Sequence, residues 1–118
     1  MKKTILVCDD EEGIRESLKL ILEKEFSLLF ATNGDEAIGL LRKNPVDVVI
    51  MDIKMPRMDG IETMRKLKEL RPGIKMLVTS GYKSVETAKE AVNAGASDYI
   101  VKPFDRNEVL SAVKKLSQ

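Results

Sequence analysis

Residues 46–52 read Val46-Asp47-Val48-Val49-Ile50-Met51-Asp52. From Val46 to Met51 the run is apolar at nearly every position, and it stops on a carboxylate. A strand with one wet face alternates apolar and polar residues. A short continuous run fits a strand covered on both faces, as in a parallel sheet. Thr4–Cys8 and Ile74–Thr79 share this character, and the shorter runs Leu28–Ala31 and Tyr99–Val101 complete a set of five.

Between the runs lie stretches of helical period. Ile14, Leu18, Ile21 and Leu22 form one apolar stripe. Ala37, Leu40 and Leu41 form a second, ended by Asn44-Pro45. Ile61, Met64 and Leu67 form a third, ended by Arg71-Pro72-Gly73. The fourth opens at Ser84 as N-cap, turns Ala88, Ala91 and Val92 inward, and stops at Gly95. The fifth opens with Asp105-Arg106-Asn107-Glu108, a capping-box variant, and carries Val109, Leu110 and Val113. Strand and helix alternating in this way give a parallel sheet with helices on both faces. With right-handed crossovers the expectation is a doubly wound α/β domain of flavodoxin-like order 2-1-3-4-5, with five strands and five helices. The order is borrowed from that class of fold, since the runs alone do not dictate it.

The bulk properties agree with one such domain over residues 1–118. Apolar residues make up 43% and charged residues 33%, a globular rather than a disordered composition. Twenty basic residues against nineteen acidic ones give a net charge of +1, which makes no electrostatic case for nucleic acid or a membrane surface. No run approaches the length of a membrane span, and Met1-Lys2-Lys3 leads straight into the first strand without a signal peptide. The single cysteine, Cys8, lies inside an apolar run; it excludes a disulfide framework and points to a reducing cytoplasm. The chain has no histidine, and so lacks the commonest general base and transition-metal ligand.

In open α/β sheets, ligands bind beyond the carboxyl ends of the strands. The first strand ends in Asp9-Asp10, followed by Glu11-Glu12; the third ends in Asp52; the fourth in Thr79-Ser80-Gly81; the fifth in Lys102-Pro103. Any one of these alone is an ordinary turn or cap residue. Together they bring three carboxylates, a hydroxyl and an ammonium to one edge. The carboxylates of Asp9, Asp10 and Asp52 would repel one another, and a hard divalent cation held through oxygen would relieve this. Oxygen-only ligands favour Mg²⁺ over zinc or copper. The chemistry that fits is phosphoryl transfer onto a carboxylate. Such transfer needs charge neutralised on the phosphoryl oxygens more than it needs a general base. Mg²⁺, Lys102 and the Ser80 hydroxyl suffice for three oxygens.

Three stretches carry a family resemblance. They are Val7-Cys8-Asp9-Asp10-Glu11, then Met51-Asp52-Ile53-Lys54-Met55-Pro56 with Met58-Asp59-Gly60, and Lys102-Pro103-Phe104. They resemble the receiver domain of bacterial two-component response regulators, over essentially the whole chain. The resemblance implies Asp52 as the phosphorylation site. It implies Asp10 as a direct Mg²⁺ ligand, Asp9 acting partly through water, and the Lys54 backbone carbonyl completing the set. It implies that Lys102 pairs with the phosphoryl group and that Lys102-Pro103 is cis. Counting back from Lys-Pro through Asp98-Tyr99 and Gly95-Ala96 places the family's hydroxyl at Ser80 rather than Thr79, and strand alternation agrees that only one of the two faces the pocket. Tyr99 resembles the family's switch aromatic. Lys54 and Tyr82 resemble the two positions that control water access to the phosphoryl group.

The expected partners are a sensor histidine kinase or phosphotransfer protein, and an output domain or protein, or a second copy, on the face made by the fourth helix, fifth strand and fifth helix. The kinase is expected along the first helix, near the exposed neighbours of Ile14 and Leu18, and at the Pro103-Phe104 loop. The chain reads as a switch that assists its own Mg²⁺-dependent phosphorylation and dephosphorylation. It could be free-standing or a piece of a longer regulator. Three rivals are weaker. A flavodoxin-type cofactor binder would not place Asp9-Asp10-Glu11-Glu12 where a phosphate must sit. A turnover hydrolase needs an acid/base residue and a substrate cap that the chain lacks. A pseudo-receiver would lack part of an acceptor site that is here complete.

Overall fold

The computed structural model describes residues 2–53, 60–81 and 85–118, with only the backbone of 85–87. The elements, in chain order, are β1 (Lys3–Cys8), α1 (Glu12–Leu22), β2 (Phe26–Ala31), α2 (Gly34–Lys43), β3 (Val48–Asp52), α3 (Gly60–Leu70), β4 (Lys75–Ser80), α4 (Val85–Asn93), β5 (Asp98–Val101) and α5 (Arg106–Leu116). All strands are parallel, in the order β2-β1-β3-β4-β5. The expected architecture is the observed one.

Strand alternation divides the core in two. Ile5, Val7, Val48, Ile50, Leu77 and Ile100 face α1 and α5, and pack on Leu18, Leu22, Val109 and Val113. Leu6, Cys8, Val49, Met51, Met76 and Val78 face the other way, onto Ala37 and Leu41 of α2, Ile61, Met64 and Leu67 of α3, and Ala91 of α4. The continuous apolar run of β3 therefore serves two helical layers. Truncating one of these side chains, as in Leu6→Ala, costs about 2–5 kcal/mol.

Two expectations need correction. β3 begins at Val48, because Asp47 leaves the ladder to brace β1: its N–H donates to the Thr4 carbonyl and its Oδ2 accepts from the Thr4 N–H, both at 2.8 Å. Val92 does not turn inward. It is 63% exposed, while α4 buries Ala91 with Ala88 half-buried, and Ala94 is buried just past the helix. The expected N-cap Ser84 lies outside the described residues. The other helix signals hold. Asp105 Oδ1 accepts from the Glu108 N–H at 2.8 Å, and Asn44 caps α2 by donating to the Leu40 carbonyl. Gly95, after α4, has φ +109°, and a Cβ there would stand 2.7 Å from the Lys68 stem.

Candidate functional site

Cys8 and Met51 are register partners, so β1 and β3 finish level and deliver Asp9 and Asp52 side by side. Both continue the alternation of their strands and are almost fully buried, at 2% and 3% exposure. Asp10 is exposed beside them. Asp9 Oδ1 accepts from the Glu11 N–H at 2.9 Å, which folds the chain back into α1. One carboxylate oxygen from each of Asp9, Asp10 and Asp52 lies within 4.8 Å of the others.

β5 adds the cation. The Lys102 N–H donates to the Ser80 carbonyl at 2.8 Å, which fixes the chain just past the strand, and the Lys102-Pro103 bond is cis as expected. Lys102 Nζ donates to Asp9 Oδ2 at 3.0 Å and stands 3.4 Å from Asp52 Oδ2. Burial alone would lower the Lys102 pKa, but the Asp9 hydrogen bond and the Asp52 and Asp9 charges outweigh it and raise the pKa above the ordinary lysine value.

The hydroxyl positions differ in aspect. Thr79 is the register partner of Asp52 and shares its face, whereas Ser80 ends β4 on the opposite face, so strand alternation does not by itself favour Ser80 as expected. That second face also holds Tyr99, which pairs with Val78 and packs half-buried on the cluster below α4. Ser80 and Tyr99 thus share one side of the sheet, and Ser80 is fully buried. Lys54 and Tyr82 lie outside the described residues.

Two close contacts at the site went unread in the sequence, although Gly60 itself stands where the third helix was expected to begin. Gly60 opens α3 against the backbone at the end of β3: a Cβ there would lie 2.4 Å from Ile53 Cα and 2.9 Å from the Asp52 carbonyl oxygen. Arg15 reaches back from α1 to donate from Nη1 to the Asp9 carbonyl at 2.8 Å. Cys8 is buried next to the carboxylates. Burial first, then the charges of Asp9 and Asp52, push its thiol up to about 12, so it is an inert neighbour.

The donor set fits a small hard cation. Ligand oxygens about 2.1 Å from an octahedral Mg²⁺ sit about 3–4 Å apart, and three carboxylates already approach that spacing. No helix among the described residues is long and apolar enough to cross a membrane.

The family model described as the response regulator receiver domain matches residues 5–114. The chemotaxis protein CheY of Halobacterium salinarum is 40% identical over 114 residues, spanning 96% of this chain and 95% of that protein. A CheY-like response regulator receiver domain protein from Methanospirillum hungatei superposes with a TM-score of 0.92 at 36% identity, covering 98% of this chain and 94% of that one. The response regulator TrrA of Thermotoga maritima, solved in complex with Mg(2+)-BeF, superposes with a TM-score of 0.87 at 36% identity over 97% of this chain and 98% of that one.

Proposed function

Since this chain belongs to the response regulator receiver domain family, and is a phospho-accepting signalling switch, we propose that Asp52 is its acceptor. The observation that carries the assignment is the Lys102 ammonium set between the buried carboxylates of Asp9 and Asp52. On this reading residues 1–118 make up one receiver domain.

A carboxylate oxygen of Asp52 attacks the phosphorus of a phosphohistidine on a partner kinase or phosphotransfer protein. The new O–P bond forms as the N–P bond breaks in a phosphohistidine ring protonated on its other nitrogen, so the imidazole leaves as the neutral base and keeps that proton. Asp9, Asp10, Asp52 and the Lys54 carbonyl would hold Mg²⁺, which when bound would supply positive charge to the phosphoryl oxygens. Lys102 moves its ammonium from Asp9 to one phosphoryl oxygen, and the Ser80 hydroxyl donates to another. These groups let the chain assist its own phosphorylation and dephosphorylation without a histidine.

The response spreads through Ser80. Drawn toward the phosphoryl group, it vacates space on the face it shares with Tyr99, and the ring turns inward. The α4-β5-α5 surface, with exposed Lys89, Asn93, Arg106 and Lys114, changes its affinity for an output domain, an output protein or a second copy. The kinase docks on the exposed neighbours of Ile14 and Leu18 along α1 and on the Pro103-Phe104 loop, and the protein works in the cytoplasm. The test is transfer from a phosphorylated histidine kinase, which should label the wild type and not Asp52→Asn. Resonances of α4, β5 and α5 should shift on adding a beryllofluoride phosphoryl mimic, and stationary resonances there count against the switch.

A further inference from the structure

We propose that Arg15 is a positioning residue that holds the β1–α1 turn in the shape that presents Asp9 and Asp10 to a divalent cation. The inference rests on the reading of those carboxylates as cation ligands. The turn is short: β1 ends at Cys8 and α1 begins at Glu12, so Asp9, Asp10 and Glu11 make up all of it. Its N-cap, Glu11, makes no side-chain bond to the helix. Two contacts close the turn instead. Asp9 Oδ1 accepts from the Glu11 N–H at 2.9 Å, and the Asp9 carbonyl accepts from Arg15 Nη1 at 2.8 Å. The second is charge-assisted and ties the first carbonyl of the β1–α1 turn to the first turn of the helix. Arg15 thereby fixes the backbone of one carboxylate and, through it, the approach of the next.

A guanidinium also repels a cation. Its charge reaches as far as Glu36, whose pKa is lowered first by hydrogen bonds from Thr32 and further by Arg15. The two roles predict opposite signs. If Arg15 were only a charge near the site, removing it would tighten Mg²⁺ binding. If it holds the turn, removing it weakens binding.

The experiment is calorimetric titration of MgCl₂ into the wild type, Arg15→Met and Arg15→Lys, with amide exchange recorded on each. Arg15→Met keeps the apolar stem and should weaken Mg²⁺ binding about fivefold, the factor that corresponds to about 1 kcal/mol, the net worth of one ordinary hydrogen bond. Exchange of the Glu11 amide should accelerate, while exchange at Val49 and Leu77 in the core stays unchanged and certifies the fold. Arg15→Lys, which keeps a charged donor, should recover part of the affinity. Unchanged or tighter binding in Arg15→Met, with the wild type binding normally, overturns this role alone. A wild type that binds no Mg²⁺ overturns both the role and the reading beneath it.

Discussion

Lys102 Nζ donates to Asp9 Oδ2 at 3.0 Å, joining residues ninety-three positions apart across the carboxyl edge of the sheet. The same ammonium stands 3.4 Å from Asp52. It is the cation that lets two carboxylates lie buried side by side before any metal arrives.

Removing it should therefore destabilise the fold. Breaking one side of a buried pair costs about 3–5 kcal/mol. Water reaches this edge, so Lys102→Met should lose about 2 kcal/mol of unfolding free energy in urea titrations without divalent cations. Saturating Mg²⁺ should restore part of the loss. Because the folded pKa of Lys102 is raised, its contribution is complete below the ordinary lysine value and lost as pH rises through the folded value. The gap between wild type and variant should stay constant from about pH 7 to 9 and close only in stronger alkali. A gap that closes near neutrality would contradict the pairing.

The Cys8 thiol, pushed up to about 12 and buried, should stay protonated and unreachable. Iodoacetamide at about pH 8 should leave the native protein unmodified and add one carbamidomethyl group in concentrated urea. Rapid alkylation of the native protein would show that the thiolate forms in the folded state.

Gly60 and Gly13 should respond oppositely to alanine. At Gly60 the added Cβ meets backbone that cannot turn aside, so Gly60→Ala should cost about 1–3 kcal/mol and slow labelling of Asp52. At Gly13, in the first turn of α1, nothing lies within 4 Å, and Gly13→Ala should stabilise by about 0.5–1 kcal/mol. Denaturation midpoints of the two variants decide it.

The phosphorylated form should be long-lived. Hydrolysis needs a water held in line behind the phosphorus. Neither Lys54 nor Tyr82 offers a carboxamide or carboxylate to orient one, and the phenol ring is large enough to cover the approach. One positioning contact of about 1.4 kcal/mol changes a step about tenfold. After removal of the donor in Mg²⁺, Lys54→Asn with Tyr82→Glu should lose its phosphoryl group about tenfold faster than the wild type. Equal decay would mean that these side chains do not set the lifetime.

The strands themselves and the acid edge were legible because both are local signals, whereas the strand order came from the class of fold. A buried parallel strand writes itself as a short apolar run, and the residue that ends the run is delivered to the edge. Asp9, Asp10, Asp52 and Lys102 were readable for that reason. Val92 was misread because adjacent helical positions lie about 100° apart, and an apolar side chain beside Ala91 gives no sign of which of the two faces the sheet. The start of β3 was misplaced because Asp47 bonds a segment forty-three residues away. Gly60 stood in the family motif, but its close approach to the backbone of Ile53 was not readable, and neither was the bond from Arg15 to a backbone carbonyl, because neither contact has a period.

The most direct test of the central claim is intact mass after incubation with acetyl phosphate and MgCl₂. The wild type should gain one phosphoryl group, and Asp52→Asn should gain none. Chelating the metal should abolish the gain in the wild type. Full labelling of Asp52→Asn, or of the wild type in excess chelator, would contradict the account of Asp52 as an acceptor that works with a cation held by its neighbouring carboxylates.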